Sequence, residues 1–192
     1  MSAETISTET TTTTLPKAGT YAVDKAHTVV GFVARHLVGT KVRGQFTEFD
    51  GSFTVAEPVE KSSLQAVAQA ASISTGVSMR DDHLRTNDFL DAPNFPTLTV
   101  TSTGLTKVTD EEWKLAVDLT IRGVTKPVVF DLEFLGQGMS MQEGMNVVAF
   151  SASAEIDRRD FGVSFNHSLL DGSVVVSNKI RIEIEVEASL ED

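Results

Sequence analysis

The sequence predicts an all-β chain: about eight or nine antiparallel strands in succession, closed into a barrel or stacked as a sandwich. Two observations carry this. Apolar residues recur with a period of two along several long segments. Short polar turns separate those segments, with none of the alternating helical patterns that a parallel sheet requires.

Taken in order, residues 1–18 read as a disordered Thr-rich leader, with Thr10 to Thr14 consecutive and an end near Pro16. Residues 19–192 form the barrel domain, a single unit large enough to bury a core. Strand candidates lie at 20–24, 28–35, 43–55, 63–74, 97–107 and 145–157. The 63–74 segment also fits helical spacing through Leu64, Val67, Ala68 and Ala71, and is read as strand from its context. The clearest alternations are Trp113, Leu115, Val117, Leu119 and Ile121; Val128, Phe130, Leu132 and Phe134; and Ile180, Ile182, Ile184 and Val186. Each places one face inside and one in water. Turns fall at Thr109 to Glu111, Arg122 to Val124 and Gly136 to Gly144. The charge-dense stretch Arg80 to Pro96 and the segment Asp157 to Gly162 lack this period. One or two short helices are expected in the 80–96 and 157–162 connections.

The formal net charge is −11, from 16 basic and 27 acidic residues. This disfavours nucleic acid and anionic membranes, both of which need clustered Lys and Arg. The absence of cysteine excludes disulfides, thiol nucleophiles and thiolate metal sites. The longest charge-free window, Ser62 to Met79, is too polar for a membrane span. No basic start followed by an apolar run is visible, so a cytoplasmic location is expected.

Catalytic signatures are missing: no G-x-S-x-G, H-E-x-x-H, P-loop or G-x-G-x-x-G occurs. The four histidines, His27, His36, His83 and His167, show no local ligand spacing, so neither a metal nor a catalytic residue is predicted. Asp81, Asp82, Asp88 and Asp91 beside Arg80 and Arg85 read as loop salt bridges and caps. Asn166-His167-Ser168, a sugar-acceptor match, reads as chance. Eleven Phe stand against one Trp and one Tyr. Small residues on inner faces (Ala66, Ala68, Ala70, Ala152, Ala154) would leave a barrel interior unfilled and open to one apolar ligand.

Several ordered blocks resemble the YceI-like polyisoprenoid-binding family: Gly19 to Leu37, Gly44 to Gly51, Arg80-Asp81-Asp82-His83-Leu84, Asp88-Phe89-Leu90-Asp91, Phe95-Pro96, Leu119 to Val128 and Arg159 to Val163. Tyr21 stands where the family usually has Trp, and many relatives carry a secretory signal. The resemblance implies a lipocalin-like antiparallel β-barrel of about eight strands with a long apolar tunnel. It implies no cofactor, but a bound long-chain isoprenoid lipid, quinone or other amphiphile, and a possible homodimer. The expected head-group residues are Arg80, Asp81, His83 and Asp88, then His36 and Arg159. The expected tunnel walls are Phe32, Phe46, Phe89, Phe95, Phe130 and Phe150. The leading expectation is non-catalytic lipid binding or transport. The alternatives are an enzyme or stress-response protein acting through His83, Asp81 and Arg80, and an interaction module with a filled core. The acidity favours an uncharged quinone head over a polyprenyl phosphate, unless Arg80, Arg43 or Arg159 lies at the mouth.

Overall fold

The computed structural model describes residues 15–37, 39–139, 146–167 and 175–191. The strands are β1 (Gly19–Val23), β2 (Val29–His36), β3 (Thr40–Phe46), β4 (Phe49–Val55), β5 (Ser63–Gln69), β6 (Ile73–Ser74), β7 (Thr97–Lys107), β8 (Glu112–Ile121), β9 (Val124–Met139), β10 (Asn146–Asp157) and β11 (Val176–Leu190). One helix, α1 (Ser78–Arg85), lies between β6 and β7.

All strand pairings are antiparallel, and the ring β1-β4-β5-β7-β8-β9-β10-β11 closes through Tyr21↔Leu190, Ala22↔Ser189 and Val23↔Ala188. The arm β2-β3-β6 continues three of these walls. β2 follows β1 along β11, β3 follows β4 along the same hairpin, and β6 follows β5. The barrel therefore has eight long staves, three of them broken near mid-length. The breaks lie side by side. Thr47 N–H donates to the Ser72 carbonyl, and Gln69 N–H to that of Glu48. Thr28 Oγ1 accepts from Glu187 N–H at 3.2 Å.

These breaks refine two expectations. The 43–55 segment is two strands, parted at Thr47–Glu48. The 63–74 segment is strand, interrupted by a single 3-10 turn at Ala70–Ser72. Cross-strand pairing explains why this Ala- and Gln-rich piece is not helical: Ala66 opposes Gly51 and Val100, and Ala68 opposes Phe49 and Leu98. Flanking strands supply both its hydrogen bonds and its apolar cover.

The alternating sets fall on the inner face in register. Trp113 opposes Leu132, Leu115 opposes Phe130, and Val117 opposes Val128. Phe150 opposes Phe134 and Val186, and Ala152 opposes Leu132 and Ile184. Val117, Leu119, Ile121, Phe130, Ala154, Ile156 and Phe161 form one buried cluster, and Tyr21, Val55, Phe134, Val148 and Ala188 a second. Each large apolar side chain so buried contributes about 1.5–3 kcal/mol. Of the predicted leader, residues 1–14 lie outside the described residues. Pro16 is buried, and Tyr21 Oη donates to the Lys17 carbonyl at 2.8 Å.

The predicted short helices are α1 and a 3-10 turn at Arg158–Phe161. The turn starts on Asp157, whose carboxylate accepts from Arg159 N–H and from its guanidinium at 2.6 Å. That guanidinium holds the Asp157 carboxyl at about 2, below its ordinary 3.8. A depressed carboxyl stabilises the fold above its unfolded pKa, and the contribution fades as pH falls through the folded value. Wild-type thermal stability is therefore expected to drop between about pH 4 and pH 2 more steeply than that of Asp157→Asn. Parallel acid limbs in calorimetry would show that this pair contributes nothing.

Two residues, Arg122 (φ 50) and Gly123 (φ 72), join β8 to β9. Both positive angles make this a type I′ hairpin, whose twist matches the flanking strands. A Cβ on Gly123 would stand 2.7 Å from the Phe95 ring. Gly123→Ala should lower unfolding free energy by about 1–3 kcal/mol in urea denaturation. An unchanged midpoint would mean that the hairpin relaxes freely.

Candidate functional site

The barrel interior holds a cavity of about 400 Å³. It runs from Leu15, Pro16 and Val59 at one end to Leu84, Arg158 and Phe161 at the other. Small inner residues leave this room: Gly51, Ala66, Ala68 and Ala152 are among its walls, whereas Ala154 belongs to the packed core and Ala70 to a buried turn. A filled core is thereby excluded.

At the α1 end, a smaller cavity of about 250 Å³ forms a vestibule. Phe32, Ala34, Leu84, Phe89 and Val176 are walls of both spaces, so the vestibule adjoins the tunnel directly. Gly44 makes the partition possible, since a Cβ there would lie 2.3 Å from the Phe32 ring. The Phe165 ring is the hub of the far wall. It meets His83 edge-on at 5.2 Å, Phe89 at 5.4 Å and His167 at 5.0 Å between centroids. Such edge-to-face contacts fix ring orientation as well as burying area.

Arginines hold the irregular connections around this end. These segments have carbonyls that no strand ladder can satisfy, and guanidinium forks reach several at once. Arg80 donates to the Thr75 carbonyl at 3.1 Å and to Thr75 Oγ1 at 2.7 Å. Arg85 donates to the carbonyls of Ala71 and Ile73. Arg122 reaches Phe89 and Gly162. Arg158, buried, donates to the carbonyls of Ser177, Val163 and Phe165 at 2.8–3.0 Å. Burial lowers the Arg158 pKa from its ordinary value. Among the described residues its hydrogen-bond partners are carbonyls and Asn178 rather than a carboxylate, so it stays cationic with its charge unneutralised by direct contact.

The head-group candidates fall in distinct places. Arg80, His83 and His36 line the vestibule. Asp81 is buried and accepts from Thr75 N–H at 2.8 Å and from its hydroxyl, which fixes the turn into α1. Asp88 hydrogen-bonds His83 Nε2 at 2.8 Å, outside the vestibule lining. Arg159 is spent on Asp157 and lines neither cavity. Phe32, Phe46, Phe89, Phe130 and Phe150 are tunnel walls, whereas Phe95 packs against the β8–β9 turn instead.

Sequence reasoning missed Arg35, Thr75, Phe165, Asn166 and His167 in the vestibule, and chose Arg159 over Arg158. Inward alternation along 30, 32, 34 and 36 gives no hint of Arg35, which stands on the outer face of β2 at the rim. Asn166 is structural: its side chain accepts from Val175 and Val176 N–H at 3.1 Å.

The vestibule suits binding better than bond-breaking. Thr75 Oγ1 is engaged by Asp81 and Arg80, not by His83. Among the described residues, the His83 ring hydrogen-bonds Asp88 and no hydroxyl, so no hydroxyl is activated by it. Elsewhere, Asp24, His27 and Glu187 bring ligand atoms within 4.8 Å of one another. Hydrogen bonding to Asp24 raises the His27 pKa and accounts for that cluster without an ion.

Comparison with known proteins agrees with this architecture. The model of the YceI-like domain matches residues 21–188. A UPF0312 protein of Staphylococcus aureus strain N315 is 31% identical over 174 residues, covering 90% of this chain and 98% of its own. The YceI protein of Campylobacter jejuni superposes with a TM-score of 0.70 at 33% identity, over 88% of this chain and 96% of its own. BcnA of Burkholderia cenocepacia shares the fold, with a TM-score of 0.75 at 20% identity over 86% and 98% of the two chains. So does a polyisoprenoid binding domain from Saccharophagus degradans, with a TM-score of 0.67 at 15% identity over 91% and 100%. The motif blocks, the closed eight-stave barrel and the match over nearly the whole described chain place this protein in the YceI-like family.

Proposed function

We propose that the protein binds a long-chain isoprenoid lipid with an anionic head group and carries it chemically unchanged. The tail occupies the tunnel and the head the vestibule. One observation carries this reading: an apolar tunnel adjoins a vestibule whose ionisable lining is Arg35, Arg80, His36, His83 and His167, with no carboxylate.

The energetics suit such a ligand. Each CH₂ moved from water into the tunnel is worth about 0.8 kcal/mol, offset in part by ordering the chain. Guanidinium groups then select phosphate over a neutral head through charge-assisted bonds. The whole-chain charge of −11 favoured an uncharged quinone, but Arg80 at the vestibule meets the condition under which that preference reverses. The structural likeness to a protein described as a polyisoprenoid binding domain supports the isoprenoid tail.

The test uses matched ligands, farnesol and farnesyl phosphate, titrated into the full chain. Farnesyl phosphate is expected to bind at least tenfold more tightly, a difference of about 1.4 kcal/mol. Arg80→Gln should remove most of that difference and leave farnesol binding unchanged. Ala152→Phe should fill the tunnel and weaken both. Equal affinities would overturn the anionic head, and binding untouched by Ala152→Phe would overturn the tunnel. Recovery of a new product, lost in His83→Ala, would establish the enzymatic alternative.

A further inference from the structure

Three local rules of protein architecture are broken at the α1 end, and each break exposes an apolar or cationic side chain. Leu37, at the tip of the β2–β3 hairpin, has φ 50 and is 46% exposed. Asn or Gly fits that left-handed position with less strain. Its N–H donates to the Val175 carbonyl at 2.9 Å, which holds the tip in place. Val77 occupies the N-cap of α1 with no side-chain capping bond and is 48% exposed. Ser, Thr, Asp or Asn there stabilises a helix by about 1 kcal/mol. Met79, two residues on, is 84% exposed. Third, Arg35 and Lys41 are direct cross-strand partners, and like charges placed so repel. An edge position for β3 would account for Lys41 alone, but not for Arg35 opposite it.

These features neighbour in the chain the residues that line the vestibule from two sides. Arg35, His36 and Val42 line the vestibule from the β2–β3 hairpin. Thr75, Arg80 and His83 line it from the α1 side. Leu37 and Lys41 flank the first set in sequence, and Val77 and Met79 interrupt the second. Local rules fail most often where function has overridden stability.

We infer that this rim, with Leu37, Val77 and Met79 as apolar contacts and Arg35 and Lys41 as cations, docks the vestibule onto an anionic phospholipid bilayer. The inference rests on the lipid-binding reading above and names where the lipid crosses. An isoprenoid tail cannot pass through water at useful rates, so its carrier must meet the membrane at the mouth. Apolar side chains on both sides enter the interfacial layer, and the cations meet lipid phosphates. The acids on the α1 side are compensated, Asp82 by Arg85 at 2.8 Å and Asp88 by the His83 ring at 2.8 Å, which leaves Arg35 and Lys41 as the cations that act on the surface. The net charge disfavours a membrane as a whole, but screening within about 10 Å lets the nearby rim charges dominate at physiological salt.

The test is co-flotation of the full chain with vesicles of phosphatidylcholine alone or mixed with phosphatidylglycerol. The protein is expected to float with the mixed vesicles, several-fold less so in high salt, and poorly with phosphatidylcholine. A variant combining Leu37→Asn, Val77→Ser and Met79→Ser should lose binding at least tenfold. Its melting temperature should not fall, because two of the changes relieve the local conflicts. Lys41→Gln should reduce the salt dependence. Farnesyl phosphate titration of the same samples separates the two readings. Prenyl binding without flotation would overturn the docking surface alone. Flotation without prenyl binding would uphold the docking surface and overturn the ligand assignment. A triple variant that floats like wild type would also overturn the surface.

Discussion

Closure of the barrel through β1 and β11 is the constraint on which the rest depends. Only a few residue pairs make that seam, Tyr21 to Val23 against Ala188 to Leu190, but without them the sheet has two free edges. The seam is also deeply buried, with Tyr21 at 1% and Ala188 at 0% exposure. Tyr21 stacks on Phe53 at 5.1 Å, and Phe53 meets Phe150 edge-on at 5.6 Å. Once the ring is closed at eight staves, its interior has room for either side chains or a single ligand. Gly51, Ala66, Ala68 and Ala152 leave part of that interior unfilled by side chains.

The two ends of the barrel solve different problems. Along the staves, ladders satisfy the backbone and the side chains alternate. At the α1 end the chain leaves the ladders for α1, the 86–96 segment and the 158–166 segment, and the backbone needs other donors. Arg80, Arg85, Arg122 and Arg158 supply them. The charge density of this stretch is thus first a backbone requirement. Arg85 also pairs with Asp82, one of the salt bridges expected in this stretch.

How much of this was legible follows from the same division. The period-two segments 113–121, 128–134 and 180–186 fall on the inner face with the register that their apolar residues demand. Arginine roles were not legible, because a carbonyl acceptor leaves no mark in sequence. Asp157-Arg158-Arg159-Asp160 offers two candidates for the interior. Only the fold reveals that Asp157 captures the second and that the first turns inward to Val163 and Phe165. Phe95 illustrates the complementary case. It belongs to a recognisable block, yet it serves the Arg122-Gly123 turn, a contact between segments far apart in the chain.

Carbonyl-bound arginines also explain why whole-chain charge misdirects at the site. A guanidinium paired with a carboxylate contributes little net field. One held by carbonyls satisfies its donors and keeps its full positive charge. Arg158 beside the tunnel is held in this way, and Arg80 beside the vestibule is held by the Thr75 carbonyl and by Thr75 Oγ1, which links it to the Asp81 carboxylate. Acids such as Glu183, Glu185 and Glu187 lie along β11, where Arg43 and Arg181 both reach Glu183 and water screens the remainder. The sum of −11 is set mostly by acids outside the strands, such as Glu48, Glu57, Glu60, Asp82 and Asp110, and says little about any one site. The potential felt by a ligand head is set by the few charges nearest to it, in a space walled by Phe89 and Phe165, where low polarity strengthens each of them. The charge total of the chain and the charges nearest the vestibule are therefore set by different residues, and the first does not predict the second.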